Sequence, residues 1–349
     1  MFYNTVLVVV VLAALQLFTK GYVIYYPSKK EFASLFLLIV VTLYIGLRPI
    51  SGRYFGDMGT YNNYFKQYAS GLEIRRLNDI LWQVFMKFSS GIMSAKMFFL
   101  VCATLYILPL YMAAKKWLAK DRYFLFLMLI ASFSFWAYGT NGIRNGVASS
   151  LFILALSYNK NNFLKYGLMI IAYGVHGSML IPISAFVLSI FYKNPKYYLL
   201  GWGLCIPVSL AFGGVFETLF LSLGIGGDRI GYINMEGFEE QFSSTGFRWD
   251  FLLYSMAAVF SGYYFIIKRK FKDAIYIQLF NIYVTTNAFW ILMIRATFSN
   301  RFAYLSWFLM AVIIFYPFFK EQFFKKQQKV LAYTLLVYFG FTYFMFLIT

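Results

Sequence analysis

Long apolar runs alternate with short polar segments along nearly the whole chain. Most of the runs approach the roughly 20 residues that an α-helix needs to cross a bilayer. The pattern therefore predicts about twelve transmembrane helices. We expect them at residues 3–19, 32–47, 95–114, 122–138, 143–158, 163–175, 177–192, 197–212, 247–267, 274–294, 302–319 and 330–348.

The composition agrees with a polytopic membrane protein. Of the 349 residues, 61% are hydrophobic and 13% are charged, and the mean hydropathy is +0.66. A soluble domain of this size does not carry so much apolar surface, and long apolar runs differ from the alternating pattern of a β-barrel. We expect an all-α helical bundle that forms a single transmembrane domain over residues 1–349. The first run looks like a retained span, because no small-residue cleavage site follows it.

Two polar stretches are predicted to form outer loops. Residues 48–94 form the first one, and within it residues 78–88 have apolar positions at helical spacing but too short a run to cross, which predicts an interfacial helix. Residues 213–246 form a second, large loop, with Gly213-Gly214 and Gly226-Gly227 as candidate hinges.

The apolar run from 163 to 192 is interrupted in its middle. Gly174, His176, Gly177 and Ser178 break it. We expect a tight turn between two crossings at the outer surface, with one long buried helix as the alternative.

The basic residues indicate the orientation. Lysines cluster in alternate short loops, and such loops are retained on the cytoplasmic side; both termini then face outward. The formal net charge of +18 is thus a topology signal spread over separate loops, so no nucleic-acid partner is expected. Cys102 and Cys205 fall inside apolar runs and are expected to act as small hydrophobic residues.

Arginine is distributed differently from lysine, because most arginines fall on the predicted outer side. A guanidinium group grips phosphate or carboxylate at two points, so this face is predicted to bind an anion. Arg48 and Arg53 belong to the polar stretch that follows the second apolar run. The arginines at predicted helix ends are Arg144, Arg248, Arg295 and Arg301. The alternative is structural pairing with outer-face acids. Those acids are Asp57, Glu73, Asp79, Asp228, Glu236, Glu239, Glu240 and Asp250.

Two residues are candidates for proton transfer. His176, the single histidine of the chain, falls at an outer helix end, and an imidazole titrates near neutral pH; a hydrogen-bonded structural histidine is the alternative. Asp57 lies in a Gly-Asp-Met-Gly turn, where capping of the next helix is the alternative. No zinc-type cluster, nucleophile elbow or P-loop occurs in the sequence, so neither a metal nor another cofactor is predicted.

Several short motifs occur along the chain in a fixed order. They are Arg48…Gly56-Asp57-x-x-Thr60-Tyr61-x-x-Tyr64-Phe65, Asn141-x-x-Arg144-Asn145-x-x-Ala148, His176-x-Ser178, Arg248, and Asn300-Arg301-x-x-Tyr304. In this order the chain resembles the EpsG-like and Wzy-type polysaccharide polymerases of bacterial surface glycan export, over most of its length. Such proteins usually have Gly-Thr-Asp-Tyr where this chain has Gly56-Asp57-Met58-Gly59-Thr60-Tyr61.

What the resemblance implies is a GT-C-type membrane glycosyltransferase in the bacterial inner membrane, with its active site facing the periplasm. It would transfer a growing glycan from undecaprenyl diphosphate to a lipid-linked repeat unit, as an O-antigen polymerase does in lipopolysaccharide biosynthesis. The implied partners are undecaprenyl-diphosphate-linked glycans and membrane lipid, with a chain-length regulator protein as a further candidate.

The resemblance and the arginine pattern together predict the site. Asp57 or His176 would be the general base. The expected substrate-binding residues are Arg48, Arg53, Tyr61, Asn141, Arg144, Asn145, Arg248, Arg295, Arg301 and Tyr304.

Two other functions stay open at this point. A flippase or transporter for lipid-linked oligosaccharides would place charges near the bilayer midplane and show repeat symmetry. A membrane O-acyltransferase would pair its single histidine with an acid or an asparagine at the same helix end.

Overall fold

The computed structural model describes residues 2–19, 27–74, 78–222, 246–296 and 299–348. Within these ranges the chain is helical between turns and contains no strand, which confirms the predicted all-α class. Every one of the predicted apolar segments contains a helix. By length and composition, six helices of the described part could cross a membrane, or seven if one bent pair counts as a span. Twelve crossings and a GT-C architecture stay predictions.

The chain divides into two compact units. The first consists of Met1–His176 and Phe318–Thr349, and the second is Gly177–Pro317. The prediction of a single transmembrane domain over residues 1–349 stays a prediction.

In the first unit, α5 packs on α2, α6 and α8, while α8 also packs on α9 and α1 packs on α16. The helices are α1 Phe2–Thr19, α2 Pro27–Gly46, α3 Gly56–Ala69, α4 Ile80–Ile92, α5 Ala95–Trp117, α6 Arg122–Ile130, α7 Phe133–Thr140, α8 Ile143–Ser157, α9 Asn162–Val175 and α16 Gln327–Ile348. Helices α2 and α5 approach closely at Gly46, where an added Cβ would lie 2.9 Å from the Cα of Leu100.

The predicted span at 122–138 is two helices, α6 and α7, bent by 66°. Ser132 sits at the break, where its Oγ accepts a hydrogen bond from the amide of Phe135 (3.2 Å) and donates one to the carbonyl of Leu129 (2.7 Å). Thr342 of α16 donates to the carbonyl of Ala131 at 2.7 Å. These side chains satisfy backbone groups that a break inside an apolar environment would otherwise expose.

The predicted first outer loop, residues 48–94, contains two helices. The predicted helix at 78–88 is confirmed as α4, and α3 precedes it. Trp82, Met86 and Ser89 form the buried face of α4, whereas Val84 and Phe88 are exposed. The interfacial position of α4 stays a prediction.

In the second unit, α13 packs on α10, α11 and α14. The helices are α10 Leu180–Phe191, α11 Pro195–Ser222, α12 Trp249–Gly262, α13 Ala274–Leu292, α14 Asn300–Trp307 and α15 Met310–Phe315, with a π-helical turn Tyr263–Lys268 after α12. Asn287 of α13 accepts a hydrogen bond from the indole of Trp202 (2.8 Å) and donates to the hydroxyls of Ser255 (3.1 Å) and Ser306 (3.0 Å). This buried network joins four helices and fixes their register.

The sequence predicted the turn at His176 correctly but not the end of α11. The turn at His176 is confirmed, because α9 ends at Val175 and a 3₁₀ turn, Gly177–Met179, precedes α10. By contrast, α11 continues to Ser222 with a kink at Phe212, so Gly213 and Gly214 lie inside a helix and not at the start of the predicted 213–246 loop. The predicted hinge at Gly226-Gly227 lies outside the described residues.

Candidate functional site

Asp79 is a buried acid immediately before α4. Its backbone lies in the left-handed region (φ 54°, ψ 43°), which costs a non-glycine residue about 1 kcal/mol and which aspartate tolerates better than most. Its side chain is only 8% exposed. Backbone conformations of this kind are concentrated at functional sites.

The carboxylate of Asp79 forms an ion pair with Arg144. Its Oδ2 lies 2.6 Å from Nη1 of Arg144, whose side chain is 15% exposed. Arg144 belongs to the first turn of α8, where the backbone amides add positive potential. Because both groups are largely removed from water, loss of one would break a buried ion pair, which is strongly destabilising.

The other oxygen of the same carboxylate faces His176. Nδ1 of His176 lies 3.6 Å from Oδ1 of Asp79, and the imidazole is 11% exposed. The distance is longer than a hydrogen bond, but it allows Asp79 to stabilise a protonated imidazole. Nε2 lies on the opposite edge of the ring, which is the position of the proton acceptor in acid–imidazole pairs.

Close packing between α4 and α9 brings Asp79 and His176 together. A Cβ added to Gly174 would lie 2.5 Å from Cδ1 and 2.7 Å from Cγ of Leu81. Gly174 precedes His176 by half a helical turn, and Leu81 lies in the first turn of α4. The absence of a side chain at Gly174 therefore makes room for the Leu81 side chain between α4 and α9.

Aromatic contacts orient α4 against its neighbours. The ring centroid of Trp82 lies 5.5 Å from that of Tyr61 and 6.1 Å from that of Phe98, and the hydroxyl of Tyr68 donates to Oε1 of Gln83 at 2.7 Å. Tyr61, predicted to bind substrate, thus packs its ring against α4.

The other predicted residues of the polar stretch lie around the start of α3. Arg48 donates to the carbonyl oxygens of Ile45 and Thr140. Arg53 is exposed and lies over the ring of Tyr54 at 5.7 Å. Asp57 lies in the first turn of α3, where the helix dipole stabilises a negatively charged side chain. Its assignment as the base stays a prediction.

Asn141 and Asn145 flank Arg144. Asn141 is the exposed C-cap of α7, and its backbone N–H donates to the carbonyl of Ala137 at 3.0 Å. Asn145 follows Arg144 in α8 and is half-buried.

In the second unit, Arg248 is bound by an acid. Its Nε and Nη2 donate to Oδ1 (2.9 Å) and Oδ2 (2.5 Å) of Asp250, and its guanidinium lies 3.7 Å from the ring centroid of Phe251. Arg248 and Arg301 both lie within range of a charge interaction with Tyr304. These three predicted residues therefore belong to one cluster.

Arg295 supports the kink of α11. Its Nη2 donates to the carbonyl of Leu210 at 3.3 Å, and its Cδ would lie 3.0 Å from a Cβ at Gly213. The exposed guanidinium is thus held over the bent part of that helix.

The structure joins two of the predicted residues, Arg144 and His176, through an acid that the sequence reasoning did not select for catalysis. Asp79 was expected only as an ion-pair partner of some arginine. The signal that could have singled it out is its position directly before an amphipathic helix. For Arg144 and Arg248, pairing with an acid is what the structure shows. Among the described residues, no group of three or more His, Cys, Asp or Glu side chains could hold a metal ion.

A family model, that of the EpsG family, matches residues 36–349. The protein belongs to the EpsG family. No curated protein and no solved structure matches the chain. As an EpsG-family protein it is a polysaccharide polymerase-type membrane protein, of the glycosyltransferase-like kind. The matched range includes Asp79, Arg144 and His176.

Proposed function

We propose that this EpsG-family protein transfers a growing glycan from undecaprenyl diphosphate to a hydroxyl of a lipid-linked repeat unit, at the outer face of the bacterial inner membrane. Family membership supports the polymerase class. The single observation that carries the assignment of the site is the buried Asp79 carboxylate, which contacts Arg144 with one oxygen and faces His176 with the other.

His176 is the general base in this proposal. Its Nε2 takes the proton of the acceptor hydroxyl as the oxygen bonds to the anomeric carbon of the growing glycan. Asp79, whose Oδ1 lies 3.6 Å from Nδ1, stabilises the imidazolium that forms, as a buried acid does beside a catalytic histidine. A base of this kind contributes about 10²- to 10⁴-fold in rate.

Arg144 stabilises the leaving group. The bond between the anomeric carbon and the phosphate oxygen breaks, and the lipid diphosphate departs with the electron pair. Nη1 of Arg144 contacts Asp79, and a guanidinium carries its five N–H donors in a planar fork that suits carboxylate and phosphate oxygens alike. Charge stabilisation of this type is worth several kcal/mol.

The lengths of the helices at the site favour lipid-borne substrates. Helix α8 has 15 residues and α9 has 14, which at 1.5 Å per residue gives about 21 to 22 Å, less than the roughly 30 Å of a hydrocarbon core. If the end of each helix away from the site, Ser157 of α8 and Asn162 of α9, lies at the inner boundary, where the lysines of the flanking loop are expected, its site end stops below the outer boundary. A phosphate anchored in the membrane can reach a site at that level.

The cluster of Arg248, Arg301 and Tyr304 is the proposed second anion site. Polymerisation needs two lipid diphosphates, one on the donor and one on the acceptor, and the second unit supplies a separate arginine pair. The lysine-rich loops support an orientation in which the helix ends that carry arginines face outward.

Deletion of the gene in its host and analysis of lipid-linked glycans tests the proposal. We expect the deletion strain to accumulate a lipid carrying a single repeat unit, and the wild-type gene to restore long chains where Asp79→Asn does not. A strain that exports no repeat unit would point instead to a flippase. Full-length chains that lack an acyl group would point to an acyltransferase.

A further inference from the structure

Arg48 is held by the carboxyl ends of two helices. Its Nη1 donates to the carbonyl of Ile45 in the last turn of α2, and its Nη2 donates to the carbonyl of Thr140, the last residue of α7, at 3.0 Å. Both oxygens belong to the set of carbonyls that a helix end leaves without intrahelical partners. They also lie at the negative ends of the two helix dipoles, which favour a cation.

Helix α3 also contacts the Arg48 side chain. The guanidinium of Arg48 lies 5.1 Å from the ring centroid of Phe55, the N-cap residue of α3. Burial lowers the pKa of Arg48 to about 10, which still keeps the group charged at neutral pH. The side chain therefore joins α2, α3 and α7 as a cation.

The space beside Arg48 is small. The cavity lined by Arg48, Cys102, Tyr106 and Tyr138 has a volume of about 10 Å³ for the centre of a water molecule, which corresponds to about one water. A diphosphate does not fit there. The contacts of Arg48 are thus those of a structural clamp and differ from an open anion site.

The clamped end of α7 leads directly into Arg144. Asn141 and Gly142 both donate their amides to the carbonyl of Ala137 at 3.0 Å, and α8 begins at Ile143. A Cβ at Gly142 would lie 2.8 Å from Cδ1 of Tyr138. The turn between α7 and α8 is therefore tightly packed, so a shift of Thr140 displaces the first turn of α8.

We infer that Arg48 is a positioning residue, which fixes the turn between α7 and α8 and through it the guanidinium of Arg144. The inference rests on the proposed function. Arg48, which was predicted to bind diphosphate, then acts through Arg144 and does not contact the substrate itself.

A double-mutant cycle tests this role. Initial rates of chain extension are measured in proteoliposomes for wild type, Arg48→Gln, Arg144→Gln and the double variant, with Lys66→Gln on α3 as the control for loss of one exposed charge. If Arg48 acts through Arg144, each single variant loses at least tenfold and the double variant is within about twofold of Arg144→Gln. Multiplied losses in the double variant would overturn the inference, because they would mean that Arg48 acts on the substrate independently.

Hydrogen exchange provides a second readout that an independent phosphate site would not change. Arg48→Lys keeps the charge but cannot donate to two diverging carbonyls, so it replaces Arg48→Gln if that variant does not fold. We expect faster exchange in the segment 139–146 of Arg48→Lys without substrate. Unchanged exchange there would contradict the clamp. If wild type itself extends no chain, the proposed function fails, whereas the exchange result still decides the clamp.

Discussion

Oδ2 of Asp79 lies 2.6 Å from Nη1 of Arg144, and both side chains are largely removed from water. The second carboxylate oxygen, Oδ1, faces His176. One acid thus connects a residue suited to phosphate with a residue suited to proton transfer. The assigned chemistry depends on this relationship.

Asp79→Asn removes the charge but keeps the shape. We expect a loss of about 3 kcal/mol in the free energy of unfolding, because the largely buried ion pair with Arg144 is broken, and a loss of polymerisation of at least 100-fold. Thermal unfolding in detergent and gel analysis of surface polysaccharide measure the two effects. Glu73→Gln replaces an exposed acid that precedes Asp79 by six residues. This variant is the control and should match wild type; equal defects in both variants would refute a special role for Asp79.

Gly174→Ala separates packing from chemistry. The added Cβ meets Cδ1 of Leu81 at 2.5 Å, so the Leu81 side chain must repack between α4 and α9. We expect this repacking to shift His176 relative to Asp79 and to lower polymerisation about tenfold. Leu81→Ala in the same chain should restore most of the activity by making room. Gly167→Ala, on the same helix with no atom within 4 Å, should have no effect, and failure of Leu81→Ala to restore activity would count against the packing argument.

Arg144→Lys tests the need for a planar group. A lysine can still contact Asp79, so the melting temperature should stay close to wild type, but it cannot contact Asp79 and a diphosphate at the same time in the manner of a guanidinium. We expect a 10- to 100-fold lower rate of chain extension in proteoliposomes. Normal rates in this variant would remove Arg144 from the site.

Asp250→Asn tests whether Arg248, in the second unit, binds a substrate phosphate. Asp250 is 59% exposed, so its pair with Arg248 should stabilise the fold by less than about 1 kcal/mol. If Arg248 binds a substrate phosphate, Asp250 competes for it, and the variant should show a lower KM for the lipid-linked acceptor. A KM that stays unchanged or rises would argue that Arg248 has only its structural partner.

The sequence was sufficient to predict the class of fold but not the site acid. Apolar runs become helices because backbone groups in an apolar environment must bond within the chain, and each predicted run contains a helix. The run lengths did not reveal the break at Ser132 or the continuation of α11 through Gly213, since both depend on partners elsewhere, such as Thr342 at the break.

The site acid depended on tertiary packing. Asp57 stood out because it lies within a recognisable motif, whereas Asp79 meets Arg144 and His176 only after α4, α8 and α9 have packed. Likewise, nothing in the sequence around Arg48 indicates that two helix ends converge on its guanidinium. Residue types at helix ends were predictable, but their partners were not.

The most direct measurement is chain extension by the purified protein in proteoliposomes that contain a lipid-linked repeat unit as the only glycan. Wild type should convert it to a ladder of longer chains, and His176→Gln, at the same yield and melting temperature, should lose at least 100-fold in rate while still binding the lipid. A ladder formed by His176→Gln at the wild-type rate would contradict the account, because the imidazole beside Asp79 would then take no part in the transfer.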